Sequence, residues 1–296
     1  MKTLVVGHVT HDHYEEGFVA GGSAFYGAQV HARQPGLSHL LTVVGDDFVC
    51  NDAIAQLDAT VCRQGKTTVF ANYYPPGQPR IQLLEASAPM VDPSLTPAAW
   101  ADADLIHLAP VIGELDLAAW KGVKRRGLLA INVQGWIKAA GPEIDPSALE
   151  QAQRRGVGAT AHRVVQKPWN VTTDELTGID IACLSEEDII GQGDLLDRLV
   201  LAVPIVALTL SARGSRIFVA GKAIEIGIYP TNVVDPTGAG DVFAATFVHH
   251  IMAGLAPADA ARFAAAAASI VIEDVGARAL ERLGECEARA ARVPVG

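Results

Sequence analysis

The strongest chemical signal in the sequence is one short run, Asp235-Pro236-Thr237-Gly238-Ala239-Gly240-Asp241. Its two glycines let a ligand approach the main chain closely, and a helical pattern begins at Ala239. N–H groups at the start of a helix bind anions, aided by the helix macrodipole. The Asp241 carboxylate lies in the first turn, where it can accept a proton from a hydroxyl group. The whole run predicts a phosphate pocket with a general base; its last four residues alone would also fit an ordinary glycine-rich turn.

The elements that must position this run alternate between short apolar stretches and helical segments. The apolar stretches predict buried strands at 4–7, 39–44, 105–108, 128–133, 181–184 and 205–210. Helical patterns cover 21–32, 115–124, 195–200, 239–254 and 257–273. Such alternation predicts an α/β fold, namely a doubly wound, mostly parallel sheet with helices on both faces.

Two β-rich stretches interrupt the alternation. Residues 67–74 and 80–84 are joined by Pro75-Pro76-Gly77-Gln78, which predicts a hairpin with a Pro/Gly turn. Together with residues 12–20 they predict a small β lid, made of segments at about 12–20 and 66–85. The pattern assigns no element to 141–180. The chain shows no repeat or linker, so we predict a single domain over residues 1–296.

Composition restricts the partners. A formal charge of -10 disfavours nucleic acid and anionic membranes, whereas main-chain N–H groups can still hold the phosphates of a nucleotide. The four cysteines are scattered, without a C-x-x-C pair, which is typical of reduced thiols in a cytoplasmic protein. The first residues lack the pattern of a signal peptide, and the Ala-rich stretch 263–272 is too short to span a membrane. We therefore expect no nucleic-acid or membrane partner.

The run at 235–241 resembles the C-terminal signature D-T-x-G-A-G-D of the ribokinase-like (PfkB) carbohydrate kinases. The resemblance implies that Asp241 is the catalytic base and that Gly238, Ala239 and Gly240 form the anion hole. It also implies ATP as phosphoryl donor and Mg²⁺ as cofactor, and it leaves open whether K⁺ assists. The acceptor would be a small polyol or sugar.

Other landmarks of that family follow in its usual order. Asp12 matches the carboxylate that grips the substrate hydroxyl, and Gly21-Gly22 matches the glycine pair beside the substrate. Tyr26 stands where many sugar kinases have asparagine. The positions that match the nucleotide site are Ser185, Thr209, Ser211, Gly214, Thr237 and Gly276. Glu187 and Asp188 match the family's motif for magnesium.

Three of these positions depart from the usual motifs. Ser185 replaces asparagine, Asp188 replaces glutamate, and Ser211 replaces a glycine of the T-L-G strand end. The two acidic-motif changes shorten the reach towards a metal-bound water, and Ser211 alters the nucleotide loop. The proposed base is unaffected.

A narrower likeness is to the myo-inositol kinases of the same family. Asn132-Val133-Gln134-Gly135 resembles their D-V-Q-G, with asparagine in place of aspartate. A cyclitol needs several hydrogen-bonding groups, and Asp12, Asn72 and Gln134 are the candidates. Two alternatives stay open, namely a nucleoside kinase on the same scaffold and a non-catalytic nucleotide or sugar sensor. Either a monomer or a homodimer is compatible with the sequence.

Two further motifs have plainer interpretations. Gly65-Lys66-Thr67 resembles the end of a Walker A loop, but position 60 is threonine and the segment leads into a hairpin, so a polar turn is favoured. His11 and His13 flank Asp12, yet the period of a strand sends the two histidines to one side and the carboxylate to the other. This favours a structural role for the histidines over a metal site.

Overall fold

The computed structural model describes residues 1–73, 81–145 and 160–296, and its strands form two sheets. In chain order the strands are β1 (Lys2–Val6), β2 (Thr10–Tyr14), β3 (Gly17–Gly21), β4 (Leu37–Val44), β5 (Ala59–Arg63), β6 (Val69–Tyr73), β7 (Ile81–Ala86), β8 (Leu105–Leu108), β9 (Leu128–Asn132), β10 (Lys138–Ile144), β11 (Ala161–Gln166), β12 (Ile181–Ser185), β13 (Ile205–Thr209), β14 (Ser215–Val219) and β15 (Lys222–Ile226).

Helices connect most of the parallel strands. They are α1 (Ser23–Ala32), α2 (Asn51–Ile54), α3 (Leu117–Lys121), α4 (Gln134–Ile137), α5 (Thr173–Leu176), α6 (Leu195–Ala202), α7 (Ala239–Met252), α8 (Pro257–Val271) and α9 (Cys286–Ala290). Short 3₁₀ turns lie at Pro93–Leu95, Ala98–Trp100, Glu186–Ile189, Ser211–Arg213 and Arg278–Glu285. Across the described ranges, no helix has both the length and the apolar character that a membrane span needs.

The large sheet has the strand order β15-β14-β13-β12-β9-β8-β1-β4-β5. Seven neighbouring strands of this sheet are parallel, namely β13, β12, β9, β8, β1, β4 and β5. Strand β14 runs antiparallel to β13, and β15 runs antiparallel to β14. The six strands predicted from apolar runs are β1, β4, β8, β9, β12 and β13, which are all in this parallel part. Because parallel sheets are covered on both faces, their strands are apolar throughout, and this is why the runs were visible in the sequence.

Alternation along β1 shows how the sheet divides the core. Leu4 and Val6 point to one face, where they join a buried cluster with Trp120 of α3. Val5 points to the opposite face and joins a second cluster with Phe25 of α1. Helices therefore cover both faces of the sheet, and the predicted doubly wound α/β fold is confirmed.

The lid is larger than the sequence predicted. It is a six-stranded sheet of order β10-β11-β7-β6-β2-β3, whereas the expected segments 12–20 and 66–85 account only for β2, β3, β6 and β7. Strands β10 and β11 lie in or beside the stretch 141–180 that the pattern left unassigned. They are polar and irregular, with a register shift between Ala140 and Glu143, so neither strand shows a clear period of two. The predicted turn 75–78 lies outside the described residues.

The loop before α7 is hydrogen-bonded to the residue that follows α8. The N–H groups of Val234 and Asp235 donate to the Ile272 carbonyl at 2.8 and 3.2 Å. Directly after it, the Glu273 carboxylate accepts two hydrogen bonds from the buried Arg289 guanidinium, at 2.8 and 3.0 Å. The bonds from Arg289 in particular lower the pKa of Glu273 to about 2. This ion pair fixes α9 against α8 and so supports the loop that begins the glycine-rich run.

The Glu273 ion pair predicts a specific dependence of stability on pH. Its folded-state pKa lies below the ordinary value of 4.5, so the pair stabilises the fold above that pH and the contribution is lost as the pH falls towards 2. We expect the free energy of unfolding to fall less steeply for Glu273→Gln than for the unaltered chain between about pH 5 and about pH 2.5. Urea unfolding at a series of pH values measures this difference.

The matched control is Glu287→Gln, because Glu287 is an exposed carboxylate on the same helix as Arg289. The control should follow the pH dependence of the unaltered chain. Parallel curves for Glu273→Gln and the unaltered chain would contradict the assigned role of the pair.

Candidate active site

A cleft of about 350 Å³ lies between the C-terminal edge of the large sheet and the lid. Parallel strands bring their C-terminal ends to one edge, so residues far apart in sequence meet here. Fifteen of the residues predicted for the site line this cleft: Asp12, Gly22, Tyr26, Asn72, Gln134, Ser185, Glu187, Asp188, Thr209, Ser211, Thr237, Gly238, Ala239, Gly240 and Asp241. Gly21, Gly214 and Gly276 do not line it.

The glycine-rich run turns sharply into α7. Gly238 has φ 82°, a left-handed conformation that side chains rarely adopt, and it precedes the first helical residue. A Cβ atom at Gly238 would lie 2.6 Å from the ring of Tyr26. The Ala239 N–H donates to the Pro236 carbonyl at 3.3 Å, while the Gly240 and Asp241 N–H groups lack a partner within the helix and belong to residues that line the cleft. Tyr26 is buried and packs against the loop, at the position where many sugar kinases have asparagine.

Asp241 is oriented by two residues that follow β9. Gln134 Nε2 donates to Asp241 Oδ1 at 3.0 Å, and Gln134 Oε1 accepts from Lys138 Nζ at 2.9 Å. Lys138 also lines the cleft, although the sequence interpretation did not include it in the site. The sequence does show a lysine four residues after Gln134, but its pattern did not predict the strand β10 that places Lys138 at the cleft.

Asp12 faces the cleft from the lid, as the strand period predicted. Thr10 Oγ1 donates to Asp12 Oδ1 at 3.0 Å, and the carboxylate is buried. A Cβ atom at Gly21, on the neighbouring strand, would overlap the Asp12 carboxylate. Gly21 is therefore needed to make room for Asp12, although it does not itself line the cleft. On the other side of β2, His11 stacks on Phe18 at a ring distance of 4.6 Å.

Asp235 closes the glycine-rich loop from behind. Its Oδ1 accepts from the Thr237 N–H at 2.9 Å, and its Oδ2 accepts from the Tyr14 hydroxyl at 2.9 Å. Burial, with Asp235 nearby, raises the pKa of Tyr14, so its hydroxyl remains a proton donor. Gly276 lies here too, with its N–H 3.4 Å from Asp235 Oδ2. The structure thus places Gly276 beside a second, smaller cleft that Asp235 shares with Tyr14.

The loop after β13 carries the altered T-L-G motif. Ser211 keeps a positive φ of 55°, the conformation for which the family's glycine is suited, so serine is strained there. Gly214 has φ 91° and passes so close to the Ile226 carbonyl that any Cβ would overlap it. Gly214 therefore permits the turn between β13 and β14 without lining the cleft.

The acidic turn after β12 contains the carboxylates that could act as ligands for a metal ion. Asp188 Oδ2 accepts from the Ser185 N–H at 2.7 Å and from its hydroxyl at 2.9 Å, which closes a capping box. Glu186 forms an ion pair with Arg213, and Glu187 lines the cleft. Within the part of the chain that the structure describes, no three His, Cys, Asp or Glu side chains form a ready metal cage. This donor set fits Mg²⁺, which usually takes one or two carboxylates and completes its shell with water and substrate phosphates.

A buried polar chain supports the cleft from inside the sheet. Asn132 Nδ2 donates to Ser23 Oγ at 2.7 Å, and its Oδ1 lies 3.0 Å from His107 Nε2. Since Asn132 Oδ1 can only accept, His107 carries its proton on Nε2. Its Nδ1 then accepts from His31 Nε2 at 3.3 Å. Ser23 and Asn132 both line the cleft, so this chain fixes which polar atoms they present.

Sequence comparisons match parts of the chain. The family model described as pfkB family carbohydrate kinase matches residues 172–282, which include the glycine-rich run. A ribokinase from Arabidopsis thaliana is 43% identical over 79 residues, which are 26% of this chain and 21% of that protein. A nucleoside kinase from Methanothermobacter thermautotrophicus (strain Delta H) is 39% identical over 72 residues, covering 24% of this chain and 23% of that protein. The matches thus span less than a quarter of each relative.

Solved structures match nearly the whole chain. A pyrophosphate-dependent kinase in the ribokinase family, in a sulfate complex, has a TM-score of 0.74 at 20% identity and covers 93% of this chain and 96% of its own. A pyrophosphate-dependent kinase of that family, complexed with a pyrophosphate analog and myo-inositol, has a TM-score of 0.70 at 19% identity, covering 92% and 95%. These likenesses confirm the ribokinase-like fold. With the family match, they also confirm the predicted resemblance to PfkB carbohydrate kinases.

The buried chain predicts the protonation state of His107. Burial lowers its pKa to about 4, so the ring should be neutral at every pH above about 5. We expect ¹⁵N NMR of the imidazole nitrogens to show the proton on Nε2 and no titration near the ordinary pKa of 6.5. A ring that becomes charged between about pH 6 and about pH 7, or that carries its proton on Nδ1, would contradict the assigned hydrogen bonds.

Proposed function

We propose that this protein is a small-molecule kinase that transfers a phosphoryl group to a hydroxyl of a polyol or sugar, with myo-inositol as the best candidate acceptor. One observation carries the proposal. Asp241 lies at the start of α7 beside the Gly238–Gly240 loop, and it shares a single cleft with the Asp12 carboxylate. A base, an anion site and a substrate-gripping carboxylate therefore meet in one place.

The proposed reaction is an in-line displacement. The acceptor hydroxyl gives its proton to Asp241, and its oxygen forms a bond to the terminal phosphorus of the donor. The bond from that phosphorus to the bridging oxygen breaks, and the leaving phosphate keeps the electron pair. The main-chain N–H groups at Gly238–Gly240 hold the charge on the transferring group, so the protein contributes mainly position and electrostatics.

ATP is the donor that the family resemblance implies, and pyrophosphate is a second candidate because the structural neighbours described above depend on it. Both donors end in a phosphoanhydride, so the same anion site would serve either. Glu187, with Asp188 behind it, is placed to hold Mg²⁺ through water, and the ion would neutralise charge on the donor phosphates.

The acceptor assignment rests on the polar wall of the cleft. Asn72 accepts from Gln82 at 3.0 Å, and Asp12, Asn132 and Gln134 face the same space. Several hydrogen-bonding groups of this kind suit a cyclitol, and one structural neighbour was solved with myo-inositol.

A nucleoside kinase is the second candidate. Phe70 and Val111 add an apolar portion to the same wall, which a nucleobase would occupy, and a nucleoside kinase is among the relatives. A sensor that binds without transfer remains the third alternative. This alternative predicts tight binding of a ligand without turnover.

Loss of the base tests the chemistry. We expect Asp241→Asn to lower kcat by about 100-fold or more, because an amide cannot accept the hydroxyl proton. Product formation is measured by ³¹P NMR with ATP and with pyrophosphate, against myo-inositol, ribose and a set of nucleosides.

Asp259→Asn is the control, since Asp259 is an exposed carboxylate on α8. Turnover of myo-inositol that is lost only in Asp241→Asn supports the full proposal. Turnover of a nucleoside alone selects the second candidate, and near-normal activity of Asp241→Asn excludes Asp241 as the base.

Displacement of Asp12 tests the acceptor site. In Gly21→Ala the new methyl group overlaps the Asp12 carboxylate, so the acceptor loses a fixed partner. We expect kcat/KM for the acceptor to fall by about 10- to 100-fold while the KM of the donor stays within about twofold. Initial rates with each substrate varied in turn give both values.

Gly284→Ala is a matched control, because no atom lies within 4 Å of the position a Cβ would take there. Its kinetics should equal those of the unaltered chain. An unchanged kcat/KM for the acceptor in Gly21→Ala would show that Asp12 does not grip the acceptor.

A further inference from the structure

Carboxylates outnumber lysine and arginine side chains in the described lining of the cleft. Its described lining includes five carboxylates, which belong to Asp12, Glu186, Glu187, Asp188 and Asp241. Lys138 is the only lysine or arginine in that lining. A pyrophosphate or triphosphate donor entering such a site is repelled by the carboxylates, and the helix N-terminus offers only about half a positive charge. Among the described lining residues, Lys138 is the cationic side chain that can attract the donor phosphates.

Lys138 stands next to the reacting end of the cleft. Gln134 holds the lysine and the proposed base at once, because its Oε1 accepts from Lys138 Nζ at 2.9 Å and its Nε2 donates to Asp241 Oδ1 at 3.0 Å. One amide therefore separates the ammonium group from the carboxylate. The backbone after Gln134 passes close to Pro110, where a Cβ at Gly135 would overlap the proline.

The strand that carries Lys138 is tied to both sheets. Lys138 begins β10 and pairs with Gln166 of β11 in the lid. Gln166 Nε2 in turn donates to the Glu187 carbonyl, at 2.6 Å, in the acidic turn of the large sheet. Lys138 thus lies at a point where the lid meets the sheet edge, and it is half-buried there. A cation in this place is partly shielded from solvent, so it acts on a phosphate more strongly than an exposed one.

We infer that Lys138 is a further catalytic residue, whose ammonium group binds the phosphoryl group during transfer. The inference rests on the proposed kinase function. As the acceptor oxygen bonds to phosphorus and the bridging oxygen leaves with its electron pair, Lys138 N–H groups donate to oxygens of the transferring phosphoryl group. Lys138 keeps its protons throughout, because the hydroxyl proton goes to Asp241. Gln134 is the positioning residue that holds the two side chains apart.

The first experiment compares Lys138→Met, Lys138→Arg and Lys222→Met. Lys222 is an exposed lysine at the start of β15, so Lys222→Met makes the same change of charge away from the cleft. We expect Lys138→Met to lower kcat by about 100-fold, Lys138→Arg by less than about 10-fold, and Lys222→Met not at all. Near-normal turnover of Lys138→Met overturns the inference.

Chemical rescue separates catalysis from structure. In Lys138→Ala, added ethylammonium should restore part of kcat in a saturable way, because the small amine can occupy the space that the side chain leaves. Lys222→Ala provides the baseline for general effects of the amine. Equal loss in Lys138→Met and Lys138→Arg, together with no rescue of Lys138→Ala, assigns Lys138 a structural role and overturns the inference.

Binding of pyrophosphate, measured by calorimetry at low salt, distinguishes this inference from the proposed function. If the unaltered chain binds pyrophosphate but turns over no acceptor, the kinase proposal fails, and at least about 10-fold weaker binding by Lys138→Met still establishes the lysine as the anion contact. Equal binding by both chains overturns the role of Lys138. If the unaltered chain neither binds pyrophosphate or ATP nor turns over, both proposals fail.

Discussion

The contact between Gly238 and the Tyr26 ring is the constraint on which the rest of the site depends. The loop before α7 must turn with a positive φ, and it does so against a buried aromatic ring with no space for a Cβ atom. The end of α8 holds the same loop from the opposite side through the Ile272 carbonyl. Fixed on both sides, the first turn of α7 places Gly240 and Asp241 along the lining of the cleft.

Four aspartates in and around the cleft have different hydrogen-bond partners, and these partners suggest different roles. Asp235 is bound by Tyr14 and by the loop N–H, and Asp188 caps its own turn, so both are structural supports. Asp241 accepts a hydrogen bond from the neutral amide of Gln134. Asp12 is held by a threonine hydroxyl at the lid. The described lining of the cleft holds five carboxylates and one lysine, and this is why Lys138 matters in the proposed reaction.

The sequence predicted the parts of the molecule that are local or repetitive. The parallel strands were visible because they are buried on both faces, and the glycine-rich loop was visible because its conformation demands particular residues. The side of β2 that Asp12 faces followed from a period of two. Strands β10 and β11 were missed because polar antiparallel pairs at a sheet edge carry no such period, and Lys138 was missed with them. The link from His31 to Asn132 joins residues about a hundred positions apart, so only the fold reveals it. The assigned roles in substrate and donor binding remain predictions.

Two departures from the family's motifs, at Asn132 and Tyr26, can be explained by the residues that surround them. Aspartate at position 132 would place a charge beside the fully buried His107, and the pair would require a protonated imidazole in a site that disfavours one. Asparagine keeps the contact with His107 neutral, yet it still presents an amide group to the cleft. Tyr26 packs against Gly238 and so supports the loop. If the acceptor binds as proposed, both changes would shift its recognition towards Asp12 and Asn72 on the lid. The lid would then determine which acceptor is bound, while the large sheet would retain the phosphate chemistry.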